Sequence, residues 1–271
     1  MNVPPTRLRY EVDRFRLKHL GLPKEVQVAD GNTSYRFYCT SLKEYKRAIK
    51  FFTKEPGTLD FLRSELRAGD VFCDVGACTG LYTVLAAKLV GSQGSVYAFE
   101  AHAASFSALM VNLACNGVAD RTKALSLLLG DESGFVDLAY TKLSSGSSRT
   151  ISHGDSSDGP HTAQGTEVKR AATLDELIES QALPAPTVVK IDVDGHELSV
   201  LGGMQDLLAG GQRPRALQVE VNPEVADAVL ATLAGHGYQR KDRHFSSGRT
   251  AELAAGSDPD GLVYNGIFRP A

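Results

Sequence analysis

The stretch Val71-Phe72-Cys73-Asp74-Val75-Gly76-Ala77-Cys78-Thr79-Gly80-Leu81-Tyr82 constrains this chain more than any other. It begins as a short apolar β-type run, bends through two glycines and continues as the helical stripe Leu81, Val84, Leu85 and Leu89. A strand that turns sharply into a helix aims backbone N–H groups and a positive dipole end at whatever binds there. Glycine serves where the backbone must turn steeply or come close to a ligand. Beyond this point strand-like and helix-like segments alternate regularly, which predicts a parallel sheet covered on both faces.

Two carboxylates narrow the ligand. Asp74 stands at the end of the first strand, two residues before Gly76. An anion there would repel a pyrophosphate and attract a cationic group. Glu100 ends the run Ser95-Val96-Tyr97-Ala98-Phe99-Glu100, twenty residues after Gly80. In a βαβ unit that spacing brings it beside the first turn, where it can bind both ribose hydroxyls. Nicotinamide enzymes use the same carboxylate, so Glu100 supports an adenosine ligand without choosing one. Asp74 and the absence of a full Gly-x-Gly-x-x-Gly run favour S-adenosylmethionine, which carries an ammonium and a sulfonium but no phosphate. The rivals are an NAD-dependent oxidoreductase and a non-catalytic cofactor-binding scaffold.

Upstream, Glu25 to Tyr38 reads as one or two short strands around Asp30-Gly31-Asn32, and Leu42, Tyr45, Ile49 and Phe52 follow at helical spacing. Glu55-Pro56-Gly57 breaks that helix, and Leu59, Leu62 and Leu66 mark the next. Downstream, Phe106, Leu109, Met110 and Leu113 form a core stripe. Ala124 to Leu129 reads as a third buried strand ending in Gly130-Asp131, whose backbone and carboxylate are candidate adenine contacts. Phe135 to Tyr140 reads as an added strand, and residues 141–166, rich in Ser, Gly and His, as a long flexible loop. A strand resumes at Glu167-Val168-Lys169, and Thr173-Leu174-Asp175-Glu176 forms a capping box.

Thr187 to Val193 is the fourth core strand. Side chains alternate along it, so Lys190, Asp192 and Asp194 start on one face. Charges at the carboxyl end of a buried strand are expensive without a purpose, and in open α/β sheets that edge is where ligands bind. Asp192 is the first candidate for a base, followed by Asp194, His196 and Glu197; pairing of Lys190 with Asp192 would be the structural alternative. Leu198, Leu201 and Leu208 give the following helix its core face. The fifth strand ends Glu220-Val221-Asn222, with Asn222 as a helix N-cap before Pro223. Asp192, Glu220 and Asn222 would also offer hard oxygen ligands to Mg2+ from adjacent strand ends. Tyr238 to Arg243 and Leu262 to Phe268 read as a closing antiparallel pair, with a polar flexible loop from His244 to Asp260.

The hydrophobic content of 42% across 271 residues supports a large core, and no apolar run approaches membrane-spanning length. Met1 to Pro5 lacks the apolar segment of a secretory signal, and Cys39, Cys73, Cys78 and Cys115 show no zinc-like clustering, so a cytoplasmic setting is expected. The net charge of −3 argues against general nucleic-acid binding, but it is unevenly spread. Residues 1–54 hold 12 Lys and Arg against 5 Asp and Glu, while the remainder holds 17 against 27. That asymmetry fits a solvated face, an acidic substrate, an anionic membrane surface or a partner.

These residues closely resemble the FkbM-type S-adenosylmethionine-dependent methyltransferases. The matching pieces are Glu55-Pro56, Asp74-Val75-Gly76-Ala77 with Gly80 and Tyr82, Ala98-Phe99-Glu100, Asn112 with Asn116, and Gly130-Asp131-Glu132-Ser133-Gly134. They continue with Thr173-Leu174-Asp175-Glu176-Leu177, Lys190-Ile191-Asp192-Val193-Asp194-Gly195-His196-Glu197 and Val200-Leu201-Gly202-Gly203. The resemblance implies a Rossmann-like class I methyltransferase fold: a seven-stranded, mostly parallel α/β sheet with helices on both faces and an antiparallel last strand. It implies O-methylation of a hydroxyl on a small natural product, sugar or lipid. On this reading residues 1–54 are a basic extension and residues 55–271 the methyltransferase domain; a homo-oligomer is compatible with it. The implied cofactor contacts are Glu55, Asp74, Gly76, Ala77, Thr79, Gly80, Tyr82, Glu100, Ala101, His102, Gly130, Asp131 and Asp192. Cys78 stands where the family generally has asparagine, and Ala101 where proline commonly follows Phe-Glu.

Overall fold

The computed structural model describes residues 5–140, 143–145, 150–152 and 165–271. The chain opens with helix α1 (Arg7–His19), the antiparallel hairpin β1 (Lys24–Asp30) and β2 (Thr33–Cys39), and helices α2 (Leu42–Ile49) and α3 (Pro56–Glu65). The expected hairpin and the helices at Leu42 and Leu59 are present, and α1 is an element that the sequence reading did not include. Thr6 caps it by accepting from the Arg9 N–H.

The alternating body follows: β3 (Val71–Val75), α4 (Leu81–Val90), β4 (Ser95–Phe99), α5 (Ala103–Cys115) and β5 (Thr122–Leu125). Next come β6 (Leu128–Leu129), β7 (Gly134–Tyr140), β8 (Thr150–Ser152), β9 (Gly165–Ala172), α6 (Leu174–Glu179) and β10 (Val188–Ile191). The chain closes with α7 (Glu197–Gly202), α8 (Gln205–Ala209), β11 (Ala216–Val221), α9 (Ala226–Gly235), β12 (Tyr238–His244), α10 (Ser247–Ala254) and β13 (Tyr264–Pro270).

Seven strands form one sheet in the order β12-β13-β11-β10-β3-β4-β5, in which only β13 runs antiparallel to its neighbours. This is the expected α/β architecture. The order reverses between β3 and β10, so a crevice opens outside the carboxyl ends of the central strands. Side-chain alternation splits the core into two layers. Phe72, Val96, Ala98 and Val188 face α3, α4 and α5, while Cys73, Tyr97, Val189, Ile191 and Leu217 face α6 to α9. The N-terminal residues Val26, Tyr35, Phe37, Tyr45 and Phe51 join the first layer, so the basic extension shares the core of the sheet.

Two asparagines of α5 tie the hairpin on. Asn116 accepts the Arg36 N–H at 2.9 Å and donates to the Arg36 carbonyl at 2.6 Å, acting as a strand partner for β2. Asn112 accepts the Tyr38 N–H at 2.8 Å and donates to the Thr79 carbonyl at 2.8 Å, reaching the glycine turn itself.

Several local expectations are corrected. The single strand expected from Ala124 to Leu129 divides at Ser126. Its first part joins the main sheet, and Leu128–Leu129 pairs with β9 in a separate four-stranded sheet. Met110 is exposed, because the stripe on α5 is narrower than its apolar composition. Thr173 caps α6, but Glu176 turns to Ser133 and Arg170 rather than closing the box. The helix read through Leu198 to Leu208 breaks at Gly203, whose added Cβ would lie 1.9 Å from the Gly130 carbonyl oxygen. The stretch His244 to Asp260 contains α10, capped by Ser246, rather than a loop alone. Within 141–166, Thr150–Ser152 pairs with β7 and Ser145 donates to Glu44. Most of that predicted flexible loop lies outside the described residues.

The register places buried Lys190 beside Asp74 on β3 and Gln218 on β11. Its ammonium lies 3.1 Å from Asp192 and 3.6 Å from Asp74, and 5.9 Å from the centre of the Tyr82 ring. Removing one partner of a buried ion pair strands the other charge, at a cost of about 3–5 kcal/mol. Lys190→Ala is therefore expected to lose about that much stability at neutral pH in chemical denaturation. A loss below about 1 kcal/mol would show that Asp74 and Asp192 are satisfied without it.

Candidate functional site

The glycine turn is held by its neighbours in a fixed shape. The N–H groups of Gly76 and Ala77 both donate to the Phe99 carbonyl, at 3.0 and 2.9 Å, and the Gly80 N–H donates to Ala77 at 2.8 Å. These N–H groups are thus committed to the protein, against the expectation that the turn aims them at a ligand. Gly76 is required here by both conformation and space. Its φ is +80°, and an added Cβ would lie 1.9 Å from the Asp192 carbonyl oxygen. The glycine lets the end of β3 close against the end of β10. Gly80 caps α4 in a left-handed conformation behind the turn.

One N–H of the turn points elsewhere. The Cys78 N–H donates to Glu100 Oε2 at 2.8 Å, and the His102 N–H donates to Glu100 Oε1 at 2.8 Å. Glu100 therefore enters the cleft with both oxygens oriented by backbone. Burial pushes its carboxyl up to about 7, more than those two bonds and Arg47 pull it down.

The cleft runs along the carboxyl ends of β3, β4, β10 and β11. Glu55, Gly76, Ala77, Thr79, Tyr82, Glu100, Ala101, Asp192, Asp194, His196 and Glu220 line it, as expected for a ligand-binding edge. Leu127, Leu128, Leu129 and Leu138 make an apolar wall on the side of the small sheet. Helix α2 and the segment after it add Arg47, Phe51 and Lys54. Arg47 donates to Cys78 Sγ at 2.7 Å, and with that contact the carboxylates of Asp192 and Glu55 outweigh burial in holding its proton, while burial pushes the Cys78 thiol up. Glu55 pairs with Lys54 and accepts from the hydroxyl of the half-buried Tyr82.

Among the candidate bases the environments diverge. Burial would raise Asp192, but Lys190 overrides it and holds the carboxyl below the usual aspartate range. Asp194 sits in a left-handed conformation with φ +53°. The residue is exposed at the cleft mouth, yet the surrounding cleft wall and repulsion from Asp192 and Glu197 push its carboxyl up to about 7. Partial burial and repulsion from Asp192, Glu197 and Asp194 push the Glu220 carboxyl up as well. Glu197 is buried and does not line the cleft. It accepts the N–H groups of Val193, at 3.0 Å, and Gly195, at 3.1 Å, and so shapes the loop that presents Asp194.

Other predicted residues are placed outside the cleft. Asp74 is buried beneath the turn, accepting from Thr83 Oγ1 at 2.6 Å and facing Lys190, so its charge is spent inside the protein rather than on a ligand. The His102 ring turns away to Ser105 and Tyr140. Gly130 donates its N–H to Ala172, and Asp131 accepts from Ser199 Oγ at 2.7 Å. The leucines just before them face the cleft instead. Asn222 precedes Pro223 without a side-chain cap bond and does not line the cleft. Among the described residues no three His, Cys, Asp or Glu side chains gather in a metal-holding group, and Asp192 is committed to Lys190. The magnesium arrangement with Glu220 and Asn222 is therefore not carried by this geometry.

Arg47 was not among the predicted residues. Its signal was the basic face of an N-terminal helix, with nothing to say that one cation of that face turns inward.

Comparison with known proteins agrees with this architecture. The family model for the methyltransferase FkbM domain matches residues 74–240. The hexuronic acid methyltransferase AglP of Haloferax volcanii is 31% identical over 177 residues, covering 64% of this chain and 65% of that protein. The 31-O-demethyl-FK506 methyltransferase FkbM of Streptomyces tacrolimicus is 30% identical over 200 residues, covering 64% of this chain and 74% of that one. The crystal structure of methyltransferase FkbM from Methylobacillus flagellatus KT superposes with a TM-score of 0.51 at 17% identity, over 80% of this chain and 48% of that one. With a strand–turn–helix cradle, a carboxylate closing the next strand and a family match across most of the body, the chain belongs to the methyltransferase FkbM domain family.

Proposed function

We propose that the cleft binds S-adenosylmethionine and that the protein methylates a hydroxyl of a small acceptor. The observation that carries this reading is Glu100, a half-buried cleft carboxylate whose two oxygens are held by the N–H groups of Cys78 and His102. It suits a ribose diol. The apolar wall of Leu127, Leu128, Leu129 and Leu138 suits a purine face. At the other end Glu55 and Arg47 set opposite charges in the same cleft, matching the ammonium and carboxylate of an amino-acid group. Arg47 lies over Cys78, at the position where the family generally carries asparagine. Its guanidinium supplies the donors that a thiol lacks. The two relatives support transfer to oxygen by name, one acting on a hexuronic acid and the other on 31-O-demethyl-FK506.

S-Adenosylmethionine, when bound, supplies an electrophilic methyl group on a sulfonium. The protein's own part is to align the acceptor, exclude water and take the hydroxyl proton. Asp194 is the residue we assign to that proton, because it lines the cleft beside Asp192 and is open to solvent, so a proton taken there can leave, and its carboxyl is raised toward about 7. Asp192, held ionised by Lys190, instead contributes a fixed negative charge beside it.

Titration calorimetry is expected to show binding of S-adenosylmethionine and none of NAD; the reverse result would replace this reading with the oxidoreductase. Glu100→Ala is expected to weaken cofactor binding by about 1.5–3 kcal/mol, the scale of lost charge-assisted hydrogen bonds. Ribose hydroxyls favour the carboxylate over the acid, so affinity should rise with pH through about 7. Binding should be about tenfold weaker at pH 6 than at pH 8, and the dependence should disappear in Glu100→Gln. A flat profile in the wild type would show that the ribose is held elsewhere.

Asp194→Asn is expected to lower turnover at least about 100-fold, with cofactor affinity little changed. In the wild type, turnover should fall about tenfold per pH unit below about 7 as Asp194 takes up a proton. If Asp194→Asn keeps most of the activity and the same acid limb, the proton goes elsewhere. Mass spectrometry of products from uronic acids and hydroxylated polyketides would identify the acceptor.

A further inference from the structure

The first helix presents an apolar stripe away from the protein. At 3.6 residues per turn, Leu8, Val12, Phe15 and His19 fall on one side of α1, while Tyr10, Asp13 and Leu17 fall on the opposite side. The inner side is anchored: Asp13 accepts from the Tyr45 hydroxyl at 3.2 Å and pairs with Lys24 at 3.4 Å, and Leu17 is buried. The outer side is open, with Leu8 76% and Phe15 56% exposed. Leu20 and Leu22, also exposed, continue the apolar surface past the helix end.

Cations run along both edges of this stripe. Arg9 and Arg16 flank one edge, and Arg7, Arg14 and Lys18 flank the other; the single outer acid, Glu11, lies 2.9 Å from Arg14. A short apolar ridge with arginine and lysine on both sides has the layout of a helix lying in the plane of a membrane interface. The apolar side chains enter the acyl boundary while the long basic stems reach up to the phosphates. At thirteen residues the helix is too short to cross a bilayer. A second copy of this chain fits poorly, because two such faces would bring five cations against five.

We propose that α1 docks this protein reversibly on a bilayer of anionic lipid, with Leu8, Val12 and Phe15 inserted and the flanking arginines and Lys18 on the headgroups. The proposal also gives a role to five of the twelve Lys and Arg in residues 1–54.

The test is sedimentation of the full-length protein with vesicles of phosphatidylcholine alone and with roughly a third phosphatidylserine. The wild type is expected to partition onto the anionic vesicles and not the neutral ones. Raising salt from roughly 0.05 to 0.5 M should weaken binding at least about tenfold. The double variants Leu8→Glu/Phe15→Glu and Arg9→Glu/Arg16→Glu should each weaken it at least about tenfold, by removing insertion or charge. These side chains are on the outer face, so the unfolding midpoint of each variant should match the wild type. Absence of partitioning onto anionic vesicles, or equal partitioning of wild type and both variants, overturns the proposal. A dimer in size-exclusion chromatography that Leu8→Glu/Phe15→Glu abolishes, without vesicle binding, overturns it in favour of a second copy. Retention on polyglutamate without vesicle binding overturns it in favour of an acidic protein partner.

Discussion

A lysine ammonium buried at the centre of the sheet organises the rest of this molecule. Lys190 is closed to solvent, and such a charge survives only where carboxylates surround it with good geometry. Asp74 on the neighbouring strand and Asp192 at the end of its own supply them. This triad fixes how far β3 and β10 extend before their chains turn. The Gly76 turn, the Asp194 loop and the mouth of the cleft all begin at that line. A structural ion pair and a ligand-binding edge are thus one construction: Asp192, which helps neutralise Lys190, also acts on Asp194 and Glu220.

That field separates carboxylates of similar chemistry. Asp192 stays ionised because a cation is in contact with it, and the nearby acids are pushed upward because burial and its charge work in the same direction. Arg47 and Lys54 arrive from outside the sheet and keep the cleft from accumulating a large negative charge. The balance depends on the N-terminal segment. Helix α2 and the segment after it are part of the cleft's electrostatics as well as of the hydrophobic layer beneath it.

The sequence was informative where function follows from position along a strand. The glycine turn, Glu100 and the charged end of the fourth core strand could be located because strand alternation and the βαβ spacing constrain them. It was misleading where a side chain had two outlets. Asp74 was assigned to the ligand, yet the register sets it beside Lys190, inside the sheet. Gly130 and Asp131 were assigned to adenine, yet the strand ending there divides and turns its leucines to the cleft. Glu197 read as a candidate base, and only the folded loop shows its oxygens occupied by Val193 and Gly195. Arg47 and the asparagines of α5 act across long separations, which no local pattern encodes.

The contacts of Asn112 distinguish the two rims of the cleft. One amide side chain holds the Thr79 carbonyl of the turn and the Tyr38 N–H of the hairpin at once. Asn116 locks the same hairpin one helical turn further along α5. Turn, hairpin and α5 therefore form a single stiff rim on one side of the cleft. The opposite rim, carrying Leu127 to Leu129 and Leu138, belongs largely to a separate small sheet. The two rims thus differ in kind: one is tied by two amide side chains to three elements at once, the other is a wall of leucines whose hydrogen bonds lie within its own small sheet.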